Sequence, residues 1–316
     1  MSPCLYCEKD DSILLYETVD IYDEQYAVRS CNHCRAIFIS PRPSAKVLER
    51  VYDTAYYGNR ADKFDSWIEK PLEYFRSRRA RVVTKYLKAP AKVLDVGCGN
   101  GHFLSHVQRQ GDFEIYGIEM AGRAAERAAQ IPNIHLKKGT LAADDFSPNS
   151  LDAITLFHVF EHLSEPRQTL DIIDNLLKPN GILSISFPNI DSWQSQLFKG
   201  DWLHLDPPRH LFFIKPKDFK KEMERRGYVC LEENYFSIEY NPYGYSQSVL
   251  NKLTKKRDVL YEQLKGNAQY TQSYSSLSLL AQKLFFIGST PFFILLDALE
   301  ALLKKSGTVE FVFRKK

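Results

Sequence analysis

The chain of 316 residues lacks a strong net charge. Its 42 lysines and arginines against 39 aspartates and glutamates leave +3, with an isoelectric point near 8.4. Nucleic-acid binding depends on clustered positive charge, so a balance this mild does not require such a partner. The first residues, Met1 to Cys4, also lack the basic stretch and apolar core of a secretory leader, which predicts a cytoplasmic protein. The length allows one large domain with an appendage.

The most apolar region, residues 277–303, lacks the continuity of a membrane-spanning helix. Lys283, Gly288 and Pro291 interrupt it, and neither half is long enough to cross a bilayer. We therefore expect a helical hairpin with Pro291 at the start of its second helix. Apolar hairpins with basic flanks favour shallow insertion at the inner face of the cell membrane. A cap over the core and a homodimer interface are the alternatives. The basic flanks are Lys252, Lys255, Lys256, Arg257, Lys265, Lys304 and Lys305.

The cysteines lack the arrangement of a disulfide framework. Four of the six form two C-x-x-C pairs, which in a chain without a secretory leader indicate a metal site. Four thiolates make a closed, structural zinc centre, and the metal allows a small domain to fold. We therefore predict a zinc ribbon over residues 1–45. Its seven acidic and four basic residues give −3, the wrong sign for a phosphate-binding face. The predicted zinc ligands are Cys4, Cys7, Cys31 and Cys34.

A strand, a glycine-rich turn and a helix start are present in residues 92–103. An apolar run over residues 93–96 leads into three alternate glycines, and helical spacing follows. Such a turn lets backbone N–H groups approach a ligand. The dinucleotide fingerprint would need a third glycine where the chain has His102. Asp95 precedes the first glycine by two positions, and the glycines are Gly97, Gly99 and Gly101.

A second strand is predicted over residues 113–118 and ends at Glu119, whose carboxylate can accept hydrogen bonds from two ribose hydroxyls. Residues 93–101 and 116–119 together resemble the class I S-adenosylmethionine-dependent methyltransferases. In that family the glycine turn holds the methionine portion of the cofactor and the acid holds its ribose. Many relatives bind the adenine amino group with an acidic residue at this point after the third strand. This chain has Thr140 there, and its nearest acidic residues are Asp144 and Asp145. The resemblance implies these cofactor-binding residues: Asp95, Gly97, Cys98, Gly99, Gly101, Glu119, Met120, Thr140, Leu141 and Phe157.

Alternating strands and helices predict an α/β fold with a mainly parallel, doubly wound sheet. The resemblance implies a seven-stranded Rossmann-like methyltransferase sheet built from residues 91–238 and 308–316. Residues 46–90 would form a helical linker that covers the active site, with Tyr56, Tyr57 and Phe75 lining it. Four arginines of this linker are expected to form a solvated face: Arg76, Arg78, Arg79 and Arg81. Residues 239–307 would form a helical-hairpin insertion before the last strand.

Candidate catalytic residues follow the fourth strand, where open α/β sheets bind ligands. On a helical turn His158, Glu161 and His162 would share one face. The Glu-His pair resembles that of ubiquinone- and menaquinone-biosynthesis O-methyltransferases and of small-RNA 2′-O-methyltransferases. In those relatives Glu-x-x-Glu-His can bind a divalent metal, and here His158 replaces the first glutamate. A histidine general base is the alternative role, and two histidines merely hydrogen-bonded at a strand end are the third.

Residues 200–211 form a second dense polar stretch, stiffened by two prolines. They resemble the Trp-Asp-Pro-x-His segment of a bacterial branch of the family, often found in surface-polysaccharide and lipid-modification gene sets. We expect Arg209 and His210 to project polar tips from this loop. His210 would face the acceptor and complete a site with Glu161 and His162. A purely structural loop is the alternative.

The resemblance predicts an enzyme that methylates a hydroxyl of a small-molecule, lipid-linked or glycan acceptor. Transfer from a sulfonium needs an in-line nucleophile, so positioning and deprotonation are the main tasks of the protein. The predicted cofactors are S-adenosylmethionine and structural zinc, with a second divalent metal at the active site left open. The alternatives are a zinc-ribbon RNA methyltransferase, an N- or C-methyltransferase, and a scaffold that has lost its chemistry.

Overall fold

The structure, a computed structural model, describes residues 2–52 and 66–316. In chain order the elements are β1 (Ser12–Val19), β2 (Gln25–Cys31), β3 (Ile37–Ser40), α1 (Ala45–Tyr52), α2 (Ser66–Thr84), β4 (Ala91–Val96), α3 (His102–Gln108), β5 (Phe113–Glu119), α4 (Arg123–Ala128), β6 (Ile134–Lys138), β7 (Leu151–Phe157), α5 (Pro166–Leu176), β8 (Leu177–Pro188), α6 (Trp193–Phe198), β9 (Phe212–Phe213), α7 (Pro216–Arg225), β10 (Tyr228–Asn234), α8 (Asn241–Leu253), α9 (Val259–Leu264), α10 (Ala268–Thr271), α11 (Ser276–Leu302) and β11 (Thr308–Lys315).

The larger sheet has seven strands in the order β10-β11-β8-β7-β4-β5-β6, which confirms the predicted fold class. The pairs β4–β5, β5–β6, β4–β7 and β7–β8 are parallel. The chain winds outward from β4 through β5 to β6 and then returns to β7 on the other side. Ligands of open α/β sheets bind at this reversal, outside the carboxyl ends of the two central strands. The residues after β4 and β7 are therefore placed for binding.

The chain divides into two compact units. The sheet unit comprises Ser66–Phe187, Lys217–Glu233 and Glu310–Lys316. The ribbon unit comprises the described part of Met1–Asp65 with Pro188–Pro216 and Asn234–Val309. Each unit has its own apolar core. The core of the sheet unit includes Val93, Leu104, Ile115, Ala153 and Ile182, and that of the ribbon unit includes Val28, Trp202, Phe213, Tyr245 and Phe293.

The smaller sheet, in the ribbon unit, has the order β1-β2-β3-β9. Three of its strands come from the predicted ribbon, and adjacent strands are antiparallel. The fourth, β9, comes from the middle of the chain and pairs Phe212 with Phe38 and Phe213 with Ile37. A two-residue strand has no periodicity, so the sequence could not predict this addition. The cysteine-bearing ribbon is thus one sheet with the residues that follow His210.

Helix α11 corrects the predicted hairpin. Residues 276–302 form one continuous helix with Pro291 inside it. Contacts to α8 hold the helix on both sides of the proline: the hydroxyl oxygens of Ser246 and Ser289 lie 3.1 Å apart, and the amide of Asn241 donates to Asp297 at 2.8 Å. Because packing against a neighbour can offset the backbone bond that proline removes, Pro291 does not end the helix.

The polarity of α11 is the reverse of that of an ordinary surface helix. Gln282, Asp297 and Glu300 are buried, and every exposed residue from 277 to 303 is apolar, glycine or proline. Leu295 is 72% exposed. Soluble helices bury the apolar side and expose the polar one. By length and composition alone, α11 could cross a membrane, and 11% of its most apolar window is buried within the protein.

Candidate functional site

The turn after β4 has the backbone geometry that its glycines predict. Gly97, Gly99 and Gly101 have φ of 71°, 56° and 76°, in the left-handed region. A Cβ added at Gly97 would lie 2.4 Å from Cγ2 of Val159, so a side chain there would have to displace that of Val159. A Cβ at Gly99 would meet no described atom within 4 Å. The turn therefore presents open backbone to a ligand at the switch point of the sheet.

Glu119 ends β5 and is 8% exposed. Its carboxylate accepts the N–H of Gly99 at 2.7 Å and that of Met120 at 3.0 Å. Burial raises the pKa of Glu119, and these two bonds oppose that rise. Each carboxylate oxygen keeps a second lone pair for a hydroxyl donor. The predicted ribose ligand therefore also fastens the glycine turn to the adjacent strand.

Asp95 is 3% exposed and lies beside Thr155 in the register of β4 and β7. The hydroxyl of Thr155 donates to the carboxylate at 2.6 Å. Burial raises the pKa of Asp95 to about 7, and the bond from Thr155 opposes the rise. Sequence reasoning missed Thr155, because its partnership depends on the strand register. The pair gives the site a carboxyl group that titrates near neutral pH.

Phe157 ends β7, and its ring centroid lies 4.9 Å from that of Phe103. The guanidinium carbon of Arg79 lies 4.9 Å from the same Phe157 ring, a cation–π geometry. The prediction of a solvated face is therefore wrong for Arg79. Arg76 also binds within the protein, donating to Glu73 at 2.6 Å. Helix α2 thus supplies a positive charge beside the end of β7.

The remaining predicted cofactor residues flank the same edge. Cys98 is buried and burial raises the pKa of its thiol, which suits a packing residue. Met120 follows β5 and is exposed, while Thr140 and Leu141 follow β6. Asp145 is engaged internally by the amine of Lys137 at 2.5 Å and the N–H of Ala142 at 2.8 Å. The adenine contact stays a prediction.

His158, Glu161 and His162 follow β7 as predicted. His158 has φ 54° and donates its N–H to the carbonyl of Ser186 at 3.0 Å. Its Nδ1 lies 3.4 Å from Oε1 of Glu161, which is 2% exposed. The helical turn is of the 3-10 type and begins at Phe160, after His158. The i, i+3 contact is present, and a divalent metal at these residues stays a prediction.

His210 lies in the ribbon unit and is buried. Its Nδ1 lies 2.8 Å from the carbonyl oxygen of His204, and its Nε2 lies 3.8 Å from Oδ2 of Asp206. Arg209 is also buried and binds the Asp206 carboxylate through two bonds of 2.9 and 2.6 Å. The expectation that these two side chains project from the loop is therefore wrong. The proposed role of His210 at the acceptor stays a prediction.

The four ribbon cysteines lie together. Their Sγ atoms are all within 4.8 Å of one another, with 3.5 Å between Cys4 and Cys34 and between Cys7 and Cys31. A tetrahedral zinc with Zn–S bonds of 2.3 Å requires sulfur–sulfur distances of about 3.8 Å. Each C-x-x-C pair forms a tight turn, or knuckle, of the same geometry. The residue after the second cysteine, Glu8 or Arg35, has φ near 60° and donates its N–H to the carbonyl of the first cysteine. The donor set fits zinc.

Part of the predicted active-site cover can be placed. Tyr56 and Tyr57 lie outside the described residues, and Phe75 is partly buried on α2. Sequence reasoning missed Glu73 on the same helix, whose carboxylate lies 3.3 Å from Nδ1 of His102 and 2.8 Å from Nε2 of His106. These contacts fasten α2 to α3, the helix that starts directly after the glycine turn.

Comparison with known proteins agrees with this geometry. The Methyltransferase domain family matches residues 64–233, more than half of the chain. The ubiquinone biosynthesis O-methyltransferase of Pasteurella multocida (strain Pm70) is 26% identical over 213 residues, covering 57% of this chain and 87% of that relative. The corresponding enzyme of Thiobacillus denitrificans (strain ATCC 25259 / T1) is 26% identical over 190 residues, covering 55% and 79%.

Among solved structures, phosphoethanolamine N-methyltransferase 2 of Haemonchus contortus in complex with S-adenosyl-L-methionine has a similar fold. The TM-score is 0.52 at 14% identity, covering 88% of this chain and 61% of that one. At this identity the likeness concerns the fold alone.

Proposed function

The chain belongs to the methyltransferase-domain family and is an S-adenosylmethionine-dependent methyltransferase, and on that premise we propose that it methylates a hydroxyl oxygen of a lipid-linked small molecule. The observation that carries the oxygen acceptor is the buried Glu161 beside His158 at the end of β7. A hydroxyl must lose its proton as the methyl group arrives, and histidine is suited to take it near neutral pH. Similarity to two O-methyltransferases supports the same acceptor atom.

The proposed roles follow from the contacts. The Glu161 carboxylate orients the His158 ring through Nδ1, which directs proton acceptance to Nε2. His162 and His210 are the other candidate bases. The glycine turn, Asp95 and Glu119 would hold the cofactor, which would supply an electrophilic methyl group. The protein itself contributes the alignment of the acceptor and the removal of its proton.

Labelled methyl transfer tests this proposal. S-adenosylmethionine carrying a carbon-13 methyl group is incubated with total lipid extract of the source cells in detergent, and the carbon shift of the product separates O-, N- and C-methylation. We expect O-methylation, with the rate lowered about 10²–10⁴-fold in His158→Ala because general-base catalysis contributes that much. His135→Ala, which removes an exposed histidine of the same sheet, should leave the rate unchanged. N- or C-methylated product would contradict the hydroxyl acceptor.

The raised pKa of Asp95 predicts a pH dependence of cofactor binding. The ionised carboxylate would accept a charged hydrogen bond from the ammonium group of the cofactor. With a pKa of about 7 in the free protein, the ionised fraction falls roughly tenfold between pH 8 and pH 6. We therefore expect the Kd to rise roughly tenfold over that range, measured by calorimetry. Asp95→Asn should bind weakly with a flat profile, and a flat profile in the wild type would contradict the role of Asp95.

The cysteine cluster supports a structural zinc as part of the proposal. Four cysteine sulfurs leave no open position on a tetrahedral ion, so this metal would stabilise the ribbon and not take part in methyl transfer. The −3 charge of residues 1–45 favours a structural role over nucleic-acid binding.

Helix α11 supports peripheral membrane contact by a cytoplasmic protein. Its buried polar face packs on α8, so the helix would lie in the plane of the membrane with its exposed apolar face in the lipid boundary. Three exposed lysines near this region can meet anionic headgroups: Lys252, Lys255 and Lys304. Two of the residues predicted in the basic flanks, Arg257 and Lys265, cannot meet headgroups, because they are buried and bonded within the protein. Such contact would bring the protein to the membrane in which a lipid-linked acceptor resides.

A further inference from the structure

The loop that carries His210 has little regular structure of its own. Residues 199–211 contain two single 3-10 turns, Lys199–Asp201 and Leu203–Leu205, before β9 begins. A two-residue strand and isolated turns contribute little cooperative stability. The His210 ring is held by His204 and Asp206 of the same loop. Its position in the protein therefore depends on the elements that hold the loop.

The cysteine ribbon binds one end of this loop. The N–H of Ile39 on β3 donates to the carbonyl of Leu211, the residue after His210, at 3.1 Å. The following residue, Phe212, pairs with Phe38, and its ring lies 6.1 Å from that of Tyr6. Tyr6, which lies between Cys4 and Cys7 in the sequence, is buried. The first cysteine knuckle is therefore in direct contact with β9.

The same ribbon also binds the other end of the loop. The hydroxyl of Thr18 on β1 donates to the carbonyl of Gly200 at 2.8 Å. The backbone of the loop lies so close to that of β1 that a Cβ at Gly200 would be 2.6 Å from the carbonyl oxygen of Glu17. Arg257 joins both sides, donating to Gly200 at 2.5 Å and to Thr18 at 3.3 Å, and it also bonds the carbonyl of Trp202.

We propose that the cysteine ribbon is the positioning element of the His210 loop, so that a metal bound by the cysteines controls the acceptor side of the reaction and leaves cofactor binding unchanged. The inference rests on the proposed function, in which His210 is one of the candidate bases on the acceptor side. Small metal-dependent domains lose their structure when the metal is removed. Here that loss would release Leu211 from Ile39 and Gly200 from Thr18. The cofactor residues belong to the sheet unit, which has a separate core.

Metal removal with amide hydrogen exchange is the first test. Metal analysis should find one zinc per chain, lost on dialysis against 1,10-phenanthroline and in the Cys4→Ser, Cys7→Ser double variant. In the zinc-free protein we expect faster exchange in peptides covering residues 36–40 and 199–213, and unchanged exchange in β4 and β7. Adding zinc back should restore protection. Absence of zinc from the purified protein, or unchanged exchange at residues 199–213 after its removal, would overturn the proposal.

A milder variant covers the case in which the cysteine variant does not fold. Thr18→Val keeps every cysteine and removes the bond to Gly200 together with the bond from Arg257. The control Ser12→Ala changes another residue of β1, away from the loop, and removes the bond that Arg29 donates to the Ser12 hydroxyl. With lipid extract as the probe acceptor, Thr18→Val should lower the transfer rate at least fivefold at low acceptor and leave the Kd for S-adenosylmethionine within twofold. Ser12→Ala should change neither. A parallel loss of cofactor affinity in Thr18→Val would overturn the selective role.

The two measurements separate this inference from the proposed function. Hydrogen exchange reports the link between ribbon and loop whether or not methyl reaches an oxygen. If the wild type methylates nitrogen or carbon and the exchange result still holds, the proposed hydroxyl acceptor fails and the positioning role stands. If O-methylation is found and hydrogen exchange at residues 199–213 is the same with and without the metal, the positioning role fails and the proposed function stands.

Discussion

Replacing Glu119 by alanine should weaken the binding of S-adenosylmethionine by at least about a hundredfold. Two losses add. The cofactor would lose its charged hydrogen bonds to the ribose, worth about 1.5–3 kcal/mol each. The glycine turn would also lose the carboxylate that accepts the N–H groups of Gly99 and Met120. Two ribose bonds at the low end of that range already lose about 3 kcal/mol, which is more than a hundredfold in Kd and is measurable by isothermal calorimetry.

Two controls show whether the carboxylate itself is responsible. Glu114→Ala removes an exposed acid from the same strand and should leave the Kd unchanged. Glu119→Gln keeps one acceptor oxygen and should fall between the wild type and the alanine variant. An alanine variant that binds as tightly as the wild type would place the cofactor elsewhere.

The geometry of the proposed cofactor side could be predicted from sequence because its residues form local patterns in the chain. A strand, a glycine turn and an acid at the next strand end are each local patterns, and all three occur where predicted. Thr155 could not be found in this way. Its bond to Asp95 joins residues 60 apart in the chain and exists only because β4 and β7 pair in one register.

Long-range contacts also explain the two largest differences from expectation. Pro291 favours a helix start when only the local sequence is considered, yet the contacts with α8 keep α11 continuous. Arg79 follows a basic run that suggests a solvated face, yet it lies over Phe157 of β7. In both cases the local pattern indicates what an isolated segment would do, and tertiary packing decides the outcome.

Helix α11 should bring the protein to anionic liposomes, and polar replacements on its outer face should prevent this. Four large apolar side chains on the outer face are exposed and would enter the lipid boundary: Leu284, Ile287, Phe292 and Leu295. Burying an apolar side chain stabilises by about 1.5–3 kcal/mol. Changing all four to serine should therefore lower membrane partitioning by at least about a thousandfold.

Flotation with vesicles containing phosphatidylserine measures the effect. Wild type should float, and the four-serine variant should stay in the dense fraction while keeping its affinity for S-adenosylmethionine. The matched control changes four exposed apolar residues of the edge strand β1 to serine and should still float; these are Ile13, Leu14, Leu15 and Val19. Neutral vesicles should bind wild type more weakly, since each lysine near an anionic surface adds about 1 kcal/mol. A wild type that stays in solution as a dimer would assign the exposed face of α11 to a second copy of the chain, and the lipid-linked acceptor would lose its support.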